Sequence, residues 1–497
     1  MSGSFAAMQK RGNLGGRITY SFVGRARASG VVQLALASRM RSRQSGRPRS
    51  SPRRSPGEAR SPSPRRRCSH GSWAHGSSCQ GGRYEAECEN SEPCGSRPRE
   101  SPQRHSSQDG RDPQDPPIAP DAKAQAWFID DYAPARAAFL DQARALAGRF
   151  ERVEQFAIPV ASAQTKDLFV DGLYVPAQRA PKRLLILSSA VHGVEGPAGS
   201  AVQRLFMGEF MTPEALQDTG VLLLHAVNPY GFAVRRRVTE QNVDLNRNAS
   251  TTNALYLTDN AGYPLVDALI NPPDAVDTGA WAHRLFLLRA VAMIAQHGMP
   301  PLRQAVLQGQ YAYPKGIYYG GGALAPQLQA LAPRLEKIIN DYPLSMSIDL
   351  HTGYGARGQL HVFLNPPADA RTRQGLEQVF EGHPIDWGSG KDFYTVTGDI
   401  TSWIGTLRRG GTHLPALFEY GTLDSQTTLG AIKSLQISVL ENQGFQHGWA
   451  SPADQARVAQ DYREMFNPSA PAWRTKVITD SRAQLAQVMA RLPTLQP

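Results

Sequence analysis

The sequence predicts an α/β protein, with helices on both faces of a mostly parallel sheet, behind a leader that has no fold of its own. Three observations predict it. Four short apolar runs, "RLLILSSA", "VLLLHAVNP", "SMSIDLHT" and "LPALFEYGT", end in turn residues and lack polar alternation, as strands covered on both faces do. Helical apolar spacing accompanies them, in "PARAAFLDQARALAGRF" and at about 197–210, 278–298, 324–340, 424–443 and 453–466, and that alternation is the α/β signature. The composition also changes abruptly near residue 120.

Residues 1–120 form the predicted leader. They hold 21 Lys/Arg against 9 Asp/Glu, and read "RMRSRQSGRPRSSPRRSPGEARSPSPRRR" through their centre. A Ser/Arg/Pro mixture without apolar periodicity cannot bury enough surface to offset its ordering entropy, so the leader is expected to be disordered. A basic nucleic-acid arm and an Arg-rich presequence are the functional readings, and an inert leader the plain one. The chain carries a net charge of +11, yet residues 121–497 hold 33 basic and 34 acidic groups. That body is neutral, so no nucleic-acid partner is expected for it. All four cysteines (Cys68, Cys79, Cys88, Cys94) lie in the leader, which excludes a disulfide framework or Cys-based zinc ribbon from the body. "VVQLALA" is too short for a signal h-region or a membrane span, and the chain is expected to be cytoplasmic. The sequence does not indicate an oligomeric state.

In a parallel α/β sheet the functional groups gather where strands end. Each of the four runs ends at or near polar groups: His192 and Glu195, then Asn228, then His351, then Glu419. "HGVE" places His192 and Glu195 three residues apart on a turn, where both can point at a common centre; alone, the pair is a weak signal and reads first as a helix start with Glu195 in its first turn. Gly193, Gly196 and Gly199 let the backbone pass close to a bound group. His351 ends "SIDLHTGYG", with Asp349 on the same face by the period of two, placed to orient the imidazole of a metal-bound histidine or to satisfy a buried one.

"NPYGFAVRRRVTEQNVDLNRN" adds Asn246 and Arg247, suited to a substrate carboxylate, and Arg237, suited to a developing oxyanion; a solvated basic surface is the alternative. Glu419 ends an apolar strand, where a carboxylate is costly unless it is paired or has a task. General base in metal-assisted hydrolysis is such a task.

Taken in order, H-x-x-E after a strand, N-P-x-G, V-D-L-N-R-N, a strand-ending D-L-H and a strand-ending Glu resemble the zinc carboxypeptidase family over residues 188–422. The likeness is strongest to its uncharacterised bacterial branch, near the succinylglutamate desuccinylase and aspartoacylase group. It implies a three-layer α/β/α sandwich with a mixed, mostly parallel sheet. It implies one Zn²⁺ per chain on His192, Glu195 and His351, carboxylate binding by Asn246 and Arg247, and Glu419 as base and proton shuttle. The oxyanion arginine maps to Arg237, with Arg236 equally placed. The family's tyrosine that closes over substrate maps to Tyr394 in "KDFYTVTGD". "GQYAYPKGIYYGGG", residues 309–322, resembles a segment of the uncharacterised branch alone, and suits either a cleft-lining loop or packing.

The expected activity is zinc-dependent hydrolysis of an amide bond in a small peptide (carboxypeptidase-type) or in an N-acyl amino acid (deacylase). The competing class is an inactive binding protein, or one docked on nucleic acid through its leader. If the leader is inert, deleting it leaves hydrolysis unchanged; a large loss of turnover in the truncated protein would show the leader taking part.

Overall fold

The computed structural model describes residues 115–364, 369–388 and 396–496. Residues 1–114 of the expected leader, and Tyr394, lie outside the described residues. Asp115 is ion-paired to Arg357, so a truncation that spares this pair starts at Asp115.

One eight-stranded sheet organises the chain: β1 (Glu154–Pro159), β2 (Phe169–Val175), β3 (Arg183–Ser189), β4 (Thr219–His225), β5 (Leu344–Gly353), β6 (Leu360–Leu364), β7 (Ile385–Trp387) and β8 (Thr412–Gly421). Their spatial order is β1-β2-β4-β3-β5-β8-β6-β7. The four apolar runs of the sequence are the four central strands, β4-β3-β5-β8, and all are parallel. Antiparallel pairing is confined to β1, β2 and β6 on the flanks, which makes the sheet mixed and mostly parallel at its centre.

Every residue of β3 and β4 is buried, because helices cover both faces. Leu185 and Leu187 belong to the core that the sheet shares with helices Tyr132–Ala145, Gly196–Glu209, Ala370–Val379 and Pro471–Arg491. Leu184 and Ile186, pointing the other way by the strand period, belong to the core shared with Pro326–Ile339 and Ile400–Thr406. Each aliphatic side chain buried this way contributes about 1.5–3 kcal/mol. The result is the three-layer sandwich. A satellite cluster lies apart from these layers, built by helices Tyr263–Ile270, Phe286–His297, Met299–Leu307 and Thr428–His447 around Tyr263, Phe286 and Leu302. Since β3, β4, β5 and β8 run in one direction, their carboxyl ends share one edge. β3 lies between β4 and β5 there, a switch in strand order that opens a crevice.

Polarity reaches the core beside that edge. His225, the last residue of β4, is fully buried, bonds Ser200 Oγ at 3.0 Å through Nε2, stacks on Phe139, and has no partner for Nδ1. Burial pushes its pKa down to about 3 from the usual 6.5. Between these values the unfolded chain binds a proton that the native state does not. The contribution of His225 is therefore complete above pH 6.5 and falls as pH drops, by up to about 1.4 kcal/mol per unit. His225→Gln is expected to flatten part of the loss of unfolding free energy between pH 7 and 5 in urea titrations; an unchanged slope would remove His225 as a cause of acid sensitivity.

Candidate metal centre

The chain leaves β3 through Ala190, whose φ of +53° is unusual for a residue with a Cβ. Such a conformation costs of order 1–3 kcal/mol and persists only when its surroundings enforce it. Here it directs the chain into the short turn Gly193–Glu195 and then helix Gly196–Glu209, bringing His192 and Glu195 over the sheet edge. The glycines expected to pass close to a bound group serve the chain itself. A Cβ on Gly193 would lie 2.1 Å from the backbone of Gly231, and one on Gly196 2.4 Å from the ring of Phe232. They let this turn lie flat against the segment Pro229–Val234.

His192, Glu195 and His351 converge, and their donor atoms all lie within 4.8 Å of one another. Glu195 places one carboxylate oxygen 2.9 Å from His192 Nδ1 and the other 3.0 Å from His351 Nδ1, while the two Nδ1 atoms are 3.1 Å apart. All three residues are at most 3% exposed. Two nitrogens and a carboxylate facing one point form a donor set suited to Zn²⁺.

The outer nitrogen of each imidazole lies against a carboxylate: His192 Nε2 is 3.2 Å from Asp244, and His351 Nε2 is 2.5 Å from Asp349, though neither contact is aligned as a hydrogen bond. Asp349 is fixed in turn by Ser188 Oγ, which donates to it at 2.6 Å from the neighbouring strand. Burial opposes ionisation of Glu195, but the charge of His192 and the hydrogen bonds from both histidines hold its pKa down to about 2. Burial likewise opposes ionisation of Asp244, and the Arg237 charge beside it holds it well below the usual range.

Glu419 stands directly across from His351 in the parallel ladder of β5 and β8, so the two project from the same side of the sheet. It lines the cleft, where the Tyr354 N–H donates to it at 2.9 Å. Burial raises its pKa to about 7 against the opposing charge of His351.

The three successive arginines separate completely. Arg235 reaches Asp131 at the surface. Arg236 turns away from the cleft, clamped by Glu441 at 2.7 Å and lying 3.5 Å over the Phe445 ring. Arg237 alone turns inward, donating to Asp244 at 2.9 Å with its guanidinium 3.6 Å from Glu195. Asn246 and Arg247 also line the cleft, on the short turn Leu245–Arg247. Two Arg247 donors are taken by the carbonyls of Leu307 and Asn246, and the Asn246 side-chain oxygen accepts from Ile400 N. Asn228 faces backbone instead: it caps helix Pro229–Val234 and donates to the Arg237 carbonyl at 3.1 Å.

The sequence reading gave no role to Asp244 or Tyr318. Asp244 was within reach, as the acid of "VDLNRN" beside the arginines, but nothing local indicates that it meets His192. Tyr318, from the loop 309–322, has φ of +56° and lies between Arg237 and Arg247, 5.3 and 5.5 Å from their guanidinium carbons. That loop both lines and supports the cleft, because the Tyr319 carbonyl accepts the Asp244 N–H at 2.8 Å.

Fold and site together define an α/β protein with a buried His, Glu and His cluster at the carboxyl edge of its parallel strands. The chain belongs to DUF2817, a family described as a protein of unknown function, whose model matches residues 128–480. Among curated proteins none matches. Similar solved structures include bovine thrombin-activatable fibrinolysis inhibitor in complex with tick carboxypeptidase inhibitor, at 12% identity and TM-score 0.37, covering 67% of this chain and 97% of that one. Carboxypeptidase A from Helicoverpa armigera aligns at 11% identity and TM-score 0.36 over 68% of this chain and 74% of its own. Murein-tripeptide amidase MpaA from Escherichia coli O157 aligns at 16% identity and TM-score 0.29 over 62% and 97%.

If the outer carboxylates orient metal-binding imidazoles, Asp244→Asn and Asp349→Asn each weaken zinc binding by roughly 10–100-fold. Competition against a chelating indicator measures this, and wild-type affinity in both variants would reduce these residues to packing.

Proposed function

We propose that this protein is a zinc-dependent hydrolase of amide bonds. The observation that carries the reading is the convergence of His192 Nδ1, His351 Nδ1 and the Glu195 carboxylate, with Asp244 and Asp349 behind the imidazoles and Glu419 across the ladder from His351. The charges support it as well. Glu195 and Asp244 are buried against Arg237 and Asp349 is buried behind His351, and a dication on the three ligands balances that excess of carboxylates. When bound there, Zn²⁺ supplies Lewis acidity to the substrate carbonyl and lowers the pKa of water.

The remaining work belongs to side chains. Glu419 accepts the proton of the attacking water as its oxygen bonds to the carbonyl carbon, and returns that proton to the nitrogen as the C–N bond breaks. Burial holds this carboxyl above the usual carboxylate range, which favours returning the proton as well as taking it. Arg237, held by Asp244 and Tyr318, faces the developing oxyanion, and positioning it in advance avoids reorganisation during the reaction. Asn246 and Arg247 hold a substrate carboxylate, at the C-terminus of a small peptide for a carboxypeptidase or on an N-acyl amino acid for a deacylase. Tyr394 remains a proposal for the substrate side of the cleft. Among the described residues no helix is long and apolar enough to cross a membrane.

Metal analysis and turnover test the reading together. The wild type is expected to hold one zinc per chain and His192→Ala to lose it. Glu419→Gln is expected to keep the metal while hydrolysis falls by roughly 10²–10⁴-fold. A metal-free wild type prepared in zinc buffer, or a fully active Glu419→Gln, would overturn it.

A further inference from the structure

The cleft does not end at the polar centre. It has a volume of about 230 Å³ and continues into the satellite cluster, where Val266, Leu269, Ile294, Leu302 and Ile432 line it. These come from four helices, Tyr263–Ile270, Phe286–His297, Met299–Leu307 and Thr428–His447. The lining here is aliphatic or methionine, with Arg303, Ser434 and Ser438 as the polar exceptions. Of the aromatic side chains on the cleft wall, Tyr354 beside Phe363 and Phe466 against Gly353 stand at the catalytic end, and Tyr318 stands between Arg237 and the satellite cluster.

This division has a chemical meaning. An apolar hollow costs free energy, since its walls lose packing partners, and water does not replace them favourably. A flat ring is met best by aromatic faces, whereas a flexible methylene chain is met by branched aliphatic and methionine side chains that adapt around it. The hollow also opens directly on His192, Glu195, His351 and Glu419, so a chain seated in it is delivered to the reacting centre.

We propose that the substrate carries a long unbranched aliphatic chain that fills this hollow, so that the bond cleaved is the amide of a lipid-like molecule such as an N-fatty-acyl amino acid. The inference rests on the amide-hydrolase reading for the reaction, but not for the binding. Each methylene moved from water into the hollow is expected to raise kcat/KM about fourfold until the hollow is full.

The test uses the zinc-loaded full-length protein with N-acyl glycines from acetyl to dodecanoyl. A second series of N-acetyl amino acids carries the alkyl chain on the amine side instead. A steep rise in either series supports the proposal, and the series that rises gives the side of the amide that enters the hollow. Measurable turnover that does not change with chain length in either series overturns it. Isothermal titration of N-dodecanoyl glycine against N-acetyl glycine, with the Glu419→Gln variant, reads the hollow without turnover. Chain-dependent binding with no hydrolysis by the wild type would keep the hollow and reject the amide-hydrolase reading; equal binding of the two ligands would reject the hollow. Ile294→Trp, and independently Leu269→Phe, are expected to flatten the chain dependence by filling the space. A slope that survives in both folded, zinc-retaining variants would assign the effect to some other surface and overturn the proposal.

Discussion

Burying Glu195, Asp244 and Asp349 within one sheet edge is the constraint on which the rest of the site depends. Each is at most 1% exposed, and an unpaired carboxylate at such depth costs several kcal/mol. The structure meets that cost locally. Asp244 receives Arg237 and the Asn246 N–H, Asp349 receives Ser188, and Glu195 receives the Thr352 N–H and both imidazoles. Removing one partner leaves the others uncompensated, so these residues act as a unit. The same crowding of acids contributes to keeping the Glu419 carboxyl protonated to a higher pH than an exposed glutamate.

Positioning this cluster explains features of the fold that packing alone does not require. The left-handed Ala190, the glycines pressed on Pro229–Val234, and the Asn228 cap all serve to set the turn that carries His192 and Glu195. The loop 309–322 plays a corresponding part for the opposite wall. Its Tyr319 carbonyl holds Asp244, its Tyr311 hydroxyl donates to the Arg247 carbonyl at 2.8 Å, and Asn248 bonds the Gly320 carbonyl at 2.8 Å. A polar, turn-rich segment such as "NVDLNRN" has little regular structure to fix it, so a second loop does so through hydrogen bonds.

How far the sequence could be read depended on the range of the interaction concerned. The four central strands were legible because burial on both faces leaves uninterrupted apolar runs. The flanking β1, β6 and β7 escaped notice, being short or only partly covered; β2 is nearly all buried, but Asp171 and Gly172 interrupt its apolar run, and helix Pro471–Arg491 mixes β-branched and polar residues enough to blur its period. The division of labour among Arg235, Arg236 and Arg237 was illegible, because three adjacent identical residues differ only in which partners the fold brings to them: Asp131, Glu441 and Asp244.

His192, Glu195, His351 and Glu419, at or just past strand ends, can be picked out from local pattern, because a strand's carboxyl end is a local property and parallel strands place such ends on one edge. It took the folded chain to show that Asp244 lies behind His192, that Arg237 and not Arg236 faces the cleft, and that an aliphatic hollow adjoins the site. Each of these joins segments dozens to hundreds of residues apart, and their meeting is fixed by packing that no local pattern records.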